Sequence, residues 1–181
     1  KLKLKAGGDE QVFEAGKDFA PLPYGAVKGS AEAGLVFAGY AIEAPEYQYD
    51  DFKGVDVAGK WVLLLRYEPQ AYDPASKFNG KQHTRHAGFD AKLAQCAKRK
   101  AAGMLLVTGP LGLEGKPDPL ADGKGPVDEE QKLPYFQLSR SAADALLKSS
   151  GKNVSGLQGA IDQDLSNHSF ELKDAQVTGA V

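Results

Sequence analysis

The sequence predicts an α/β fold, and three observations carry that reading. Trp61 to Leu65, WVLLL, is an apolar run without alternation, the pattern of a strand buried on both faces. FDAKLAQCAKRKAAG, from residue 89, repeats apolar residues at spacings of three and four, as an amphipathic helix does. MLLV at 104–107 is a second short apolar run. Strand 60–66, helix 90–102 and strand 104–108 form a β-α-β unit, expected to have parallel strands and a right-handed crossover.

The remaining elements follow in chain order. Residues 1–20 read as a hairpin: KLKLKA, a turn at Gly7-Gly8-Asp9, then QVFEA. Lys1, Lys3 and Lys5 would line one face of the first strand and Leu2 and Leu4 the other, as on an edge strand guarded by lysines. A phosphate-binding role is the alternative. APLPYGAVKGSAEAG reads as a loop, and LVFAGYAI at 35–42 as a strand stopped by Pro45. Asp56 and Gly59 supply turn chemistry ahead of the buried strand.

The helix after residue 89 is expected to bury Phe89, Leu93, Ala94, Ala97 and Ala101. Lys98, Arg99 and Lys100 suit its C-terminal end, where the helix dipole favours cations. Gly103 is placed to stop it in a left-handed conformation. Leu63, Leu64, Leu93, Ala97, Leu105 and Val107 are the expected core of this unit. LPYFQLS is a strand leading into a helix that Ser141 and Asp144 would cap, and that helix stops near Gly151. Residues 154–181 suggest two or three more strands. Residues 67–88 and 109–132 are long polar loops.

Length and composition set limits. With 181 residues the chain suits one domain, and its apolar (42%) and charged (25%) fractions are those of a globular protein. The formal net charge of −2 gives no field to recruit nucleic acid or anionic lipid. No apolar run reaches the roughly 18 residues of a transmembrane helix. The chain begins at Lys1 rather than Met, so a fragment or a processed product is expected.

Tests for chemistry are negative or weak. HExxH is absent, and His83 and His86 in HTRH would share a face only in a helix that the flanking glycines oppose. GxSxG, the phosphate-loop motif and GxGxxG are absent too. Asp50 and Asp51 form an acid pair that suits acid–base chemistry or a turn, and Glu46, Asp56 and Lys60 share their polar stretch. With Asp118 to Glu130 these acids suit a calcium site, although the EF-hand spacing is absent. Cys96, the single cysteine, excludes an intrachain disulfide and reads as a half-buried structural residue; Lys92 and Arg99 nearby would lower its thiol pKa if it were reactive. Tyr40, Tyr47, Tyr49, Phe52 and Tyr67 flank the buried strand; they suit either a peptide-contacting patch or a seal over the core.

FAGYAIEAPEYQYDDFKGVDVAGKWVLLLR, residues 37–66, resembles the signature of the protease-associated (PA) domain inserted in bacterial zinc aminopeptidases of the leucyl aminopeptidase type. Phe37, Gly39, Tyr40, Ile42, Ala44 to Tyr47, Asp50, Asp51, Lys53, Gly54, Asp56, Val57, Gly59 and Lys60 match the pattern. Ala41 stands where glycine is usual and Phe52 where tyrosine is. FDAKLAQCAKRKAAGMLLVTGP and LPYFQLSRSAADALL resemble later parts of that domain, with Lys92 and Gly103 in register. The resemblance covers residues 35–150 most fully.

This resemblance implies a swivelling β/β/α fold, a small open barrel or sandwich with flanking helices. It implies that residues 1–181 are one PA domain whose end strands lead to and from a zinc peptidase domain. The family's ligands begin with a His-x-Asp motif on that peptidase domain, and here His83, His86 and His168 are followed two residues on by Arg85, Gly88 and Phe170. The implied function is therefore non-catalytic: a lid or wall governing substrate access or peptide contacts. No catalytic, cofactor-binding or metal residue is assigned to this chain, and zinc belongs to the peptidase domain. The expected partners are that domain and peptide or protein substrates, in a periplasmic or extracellular setting. A free-standing peptide- or protein-binding module and a hydrolase in its own right are the rivals.

Overall fold

The structure is a computed structural model that describes residues 2–6, 9–25, 28–113, 116, 118–122, 124 and 133–180. Eight strands build one mixed sheet, in the order β2-β1-β10-β4-β7-β8-β9-β3. They are β1 (Leu2–Ala6), β2 (Asp9–Phe13), β3 (Phe19–Pro21), β4 (Ser30–Phe37), β7 (Trp61–Leu65), β8 (Gly103–Val107), β9 (Tyr135–Leu138) and β10 (Phe170–Ala180). A separate two-stranded ribbon joins β5 (Glu43–Ala44) to β6 (Tyr49–Asp50). The helices are α1 (Phe89–Lys98), α2 (Arg140–Leu147) and α3 (Val154–Asp164).

Strands β4, β7, β8 and β9 run parallel, and β7-α1-β8 is the predicted β-α-β unit. Every residue of β7 is buried because helices cover both faces. Trp61, Leu63 and Leu65 face the cluster that contains α2 and α3. Val62 and Leu64 face the other, with Leu93 and Cys96 of α1. The expected barrel or sandwich takes the form of a single sheet whose edges approach each other. Ala15, just past β2, bridges to Phe19 in β3, and Phe13 and Phe19 enter one core cluster.

Several sequence expectations need correction. The hairpin β1–β2 is present, with Gly7-Gly8 outside the described residues. Its first strand is not the edge: β1 pairs with both β2 and β10, so β2 is outermost. The loop expected before residue 35 contains β3 and the first half of β4. The strand then ends at Phe37, because Gly39 (φ 47°) and Ala41 (φ 55°) turn the backbone left-handed.

In α1 the buried positions are Lys92, Leu93 and Cys96, while Ala94 and Ala97 are exposed. Lys100 (φ 58°) makes the left-handed exit, and Gly103 opens β8 instead. A Cβ on Gly103 would sit 2.2 Å from the Trp61 ring, so close packing requires this glycine. Ser139, not Ser141, caps α2 by accepting from Ala142 N, and Asp144 accepts from Val154 N at the start of α3. Gly151 (φ 69°) ends that region as expected. The predicted C-terminal strands are one helix, α3, and one long strand, β10, which is bulged at Asp174.

Candidate functional site

The acid-rich stretch after β4 converges on Asp51, whose side chain is fully buried. One carboxylate oxygen accepts from Tyr40 N (2.9 Å) and Ile42 N (3.1 Å), and the other from the Tyr49 hydroxyl (2.6 Å). The carboxylate thus pins the left-handed turn that ends β4. A Cβ on Gly39 would lie 2.0 Å from an Asp51 oxygen, so the turn and the acid fit only around glycine. Burial pushes the Asp51 pKa up to about 7, against the pull of the Tyr49 hydroxyl, the Ile42 and Tyr40 amides and the Lys92 charge.

Lys92 enters the same interior from α1. It is fully buried and donates to the Tyr40 carbonyl at 2.5 Å, with its ammonium 5.7 Å from the Tyr40 ring. Burial lowers its pKa to about 7, opposed by the charges of Asp51, Cys96 and Glu68. Asp51 holds amides of this turn and Lys92 its Tyr40 carbonyl, and each charge helps the other to stay ionised.

Outward from this pair the network continues. The Tyr40 hydroxyl donates to Asp162 of α3 at 2.7 Å and accepts from Gln158 at 3.2 Å. Burial and the Asp162 charge push the Tyr40 pKa well above 10. Gln70 donates to the Asp162 carbonyl. Glu68, also buried, accepts from Thr84 N at 2.9 Å and from the Thr84 hydroxyl. These contacts tie the loop after β7 to α3 through Gln70 and close it on itself through Glu68 and Thr84. Each of these donors meets an acceptor within the chain.

The five predicted aromatics do not form one surface. Tyr40, Tyr49 and Phe52 are buried, and the Arg99 guanidinium lies 3.8 Å over the Phe52 ring. Tyr47 is half-buried against Phe78 (4.6 Å). Tyr67, which immediately precedes Glu68, is half-buried, its ring stacked on His83 (4.9 Å). Surface contact by these residues falls to Tyr47 and Tyr67.

The histidines are dispersed over separate carboxylates. His83 faces Glu68 (3.6 Å), His86 bonds Glu46 (2.8 Å) and His168 bonds Asp164 (2.8 Å). No group of three metal-ligating side chains comes together among the described residues. A catalytic zinc needs three donors around one point, and these donors do not fit it. Of the acids considered for calcium, Asp51 is spent on the turn, Asp50 accepts from Phe52 N, and residues 125–130 lie outside the described residues. Cys96 is wholly rather than half buried, and burial pushes its thiol up to about 12. That thiol is unreactive at neutral pH.

Sequence reasoning missed Glu68, Asp162 and Gln158, and it named Lys92 without its burial. Lys92 carried a signal, since it sits beside Leu93 and four residues before Cys96 on the inward stripe of α1. Glu68 carried none, because its burial depends on Thr84 sixteen residues away.

Two clefts open nearby. One, about 540 Å³, lies between Glu43–Lys53 and Leu165–Asn167. The other, about 290 Å³, lies between the loops that follow β7 and β8.

Comparison with protein-family models gives no match, and comparison with curated proteins gives none. Among solved structures the chain is similar to an aminopeptidase from Aneurinibacillus sp. strain AM-1, with TM-score 0.47 and 17% identity over 99% of this chain and 33% of that one. A zinc aminopeptidase from Bacillus subtilis gives TM-score 0.41 and 14% identity over 99% and 30% of the two chains. A psychrophilic subtilisin-like protease from Pseudoalteromonas sp. AS-11 gives 0.46 and 12% over 99% and 32%. The chain spans about a third of the length of these proteins.

Proposed function

We infer that this chain is a non-catalytic domain of the protease-associated type, working beside the catalytic domain of a zinc aminopeptidase. It acts as a lid or wall that governs substrate access or contacts peptides. The observation that carries this reading is the use made of the acid-rich stretch. Asp51, the most buried acid of the signature-like segment 37–60, spends both oxygens on the turn that positions that segment. A catalytic carboxylate must reach a substrate, and this one reaches only its own backbone and Tyr49.

A second feature supports the arrangement. Strands β1 and β10 pair antiparallel, with Leu2 opposite Gly179, so the first and last described strands lie side by side. An inserted domain requires that geometry. On this reading the zinc and its ligands belong to the peptidase domain, which is the principal partner, together with peptide substrates. The setting is periplasmic or extracellular.

The test is metal analysis and peptidase assay of the purified chain. Far less than one zinc per chain and no hydrolysis of leucine p-nitroanilide are expected. About one zinc per chain, with hydrolysis abolished by His83→Ala or His86→Ala, would overturn the reading in favour of an enzyme.

A further inference from the structure

We propose that the cleft of about 290 Å³ between the loops after β7 and β8 is a subsite for a peptide carboxylate, with Arg66 as its anchor. The proposal rests on the reading that this domain contacts peptides, and it names the chemistry contacted. The cleft lies beyond the carboxyl ends of parallel strands β7 and β8, where α/β sheets commonly place their ligand crevices.

Arg66 has the geometry of a prepared anion receptor. Its guanidinium lies 4.7 Å over the Tyr67 ring and 5.2 Å from the Phe89 ring. Rings on a guanidinium hold it flat and leave its edge donors to a ligand. Among the described residues its charged partner is Asp118 at 3.7 Å, beyond hydrogen-bond distance. A planar carboxylate matches a guanidinium fork in a two-point contact, and the Arg66 side chain is 29% exposed. Lys116 also lines the cleft, so among the described lining residues two cations stand with one acid, Asp118.

The walls are set before any ligand arrives. Tyr67 (φ 65°) and Tyr72 (φ 72°) both line the cleft in the left-handed region, which is costly for aromatic residues. Their rings pack edge-on at 5.8 Å, and both contact His83, which faces buried Glu68. Gly112 forms part of the floor, and Leu111 beside it is 52% exposed. Leu113 and Pro119 supply the apolar part of the lining, and the Leu111 amide is held by Gln158 at 2.9 Å. A pocket of this volume suits one end or one residue of a peptide, not a whole cofactor.

The test is calorimetric titration of the whole chain with three probes: N-acetyl-Ala-Leu-Phe as the free acid, the same peptide as its amide, and the amide of N-acetyl-Glu-Leu-Phe. At least one carboxylate-bearing probe should bind about fivefold or more tightly than the neutral amide. The tighter of the two tells whether a chain end or a side chain supplies the carboxylate. Arg66→Gln should remove that preference, and Tyr72→Leu should weaken all three probes. Should Arg66→Gln fail to fold, Lys116→Gln with added salt serves instead, and both should reduce the preference. Equal binding of all three probes overturns the carboxylate subsite and leaves the peptide-contact reading standing. Absence of binding at millimolar peptide, tighter binding of inorganic phosphate, or a preference that survives in Arg66→Gln would overturn it as well. Zinc content and turnover of the chain test the non-catalytic reading independently of these outcomes.

Discussion

Asp51 and Lys92 show how a buried pair of ionisable groups can be spent on shape. The acid organises the turn at 39–42 through its amides, and the amine holds the Tyr40 carbonyl. Such pairs cost desolvation, and breaking one is usually worse than replacing both. Their titration sets a pH dependence. Lys92 falls from 10.5 to about 7 on folding, so between those values the unfolded chain binds the extra proton and stability rises with pH. Asp51 rises from 3.8 to about 7, so between those values the folded chain binds the extra proton and stability falls as pH rises. The pair therefore contributes least near neutrality. Lys92→Met should abolish the alkaline gain: between pH 7 and 9.5 the wild type should gain on the order of 1–2 kcal/mol relative to the variant. Urea unfolding at both pH values checks this, and parallel curves for the two proteins would refute it.

At the scale of elements, β7 and β8 meet through one glycine. Gly103 stands opposite Trp61 in the parallel register, and the indole occupies the space its side chain would need. Gly103→Val should cost about 2–4 kcal/mol by overpacking, visible as a lowered denaturation midpoint. A loss below about 0.5 kcal/mol would show that the indole can move aside. The sequence-based reason for Gly103, a left-handed helix stop, was mistaken, because helix-exit glycines and close-approach glycines look alike before the partner ring is known.

Other elements divide on the same ground. The run WVLLL and the helix after it were legible because local patterns specify them. Helix α3 was not: Gly156 and Gly159 lower its propensity, and its signal was only Val154, Leu157 and Ile161. Strand β4 begins among Ala and Gly residues with weak β preference and is completed by pairing with β10, far away in sequence. In the site, the structural use of Asp51 was readable from its place in a turn motif. The burial of Lys92, and the partition of the five aromatics between core and surface, depend on how α1 and α3 dock.

For the whole molecule, one sheet sets the first and last described strands, β1 and β10, side by side, and its parallel centre projects loops from one end. The buried network of Asp51, Lys92, Tyr40 and Asp162 joins those loops to the helices behind them. On this account Asp51 in segment 37–60 serves the fold and not a reaction. The direct measurement is equilibrium unfolding of Asp51→Ala beside Glu46→Ala, both at pH 7.5. Asp51→Ala should lose about 3–5 kcal/mol, because Tyr40 N, Ile42 N and the Tyr49 hydroxyl are left buried without their acceptor. Glu46→Ala, which removes exposed contacts to Arg85 and His86, should unfold at a midpoint close to that of the wild type. An Asp51→Ala protein as stable as the wild type would contradict the account and return this carboxylate to the list of groups free to act on a substrate.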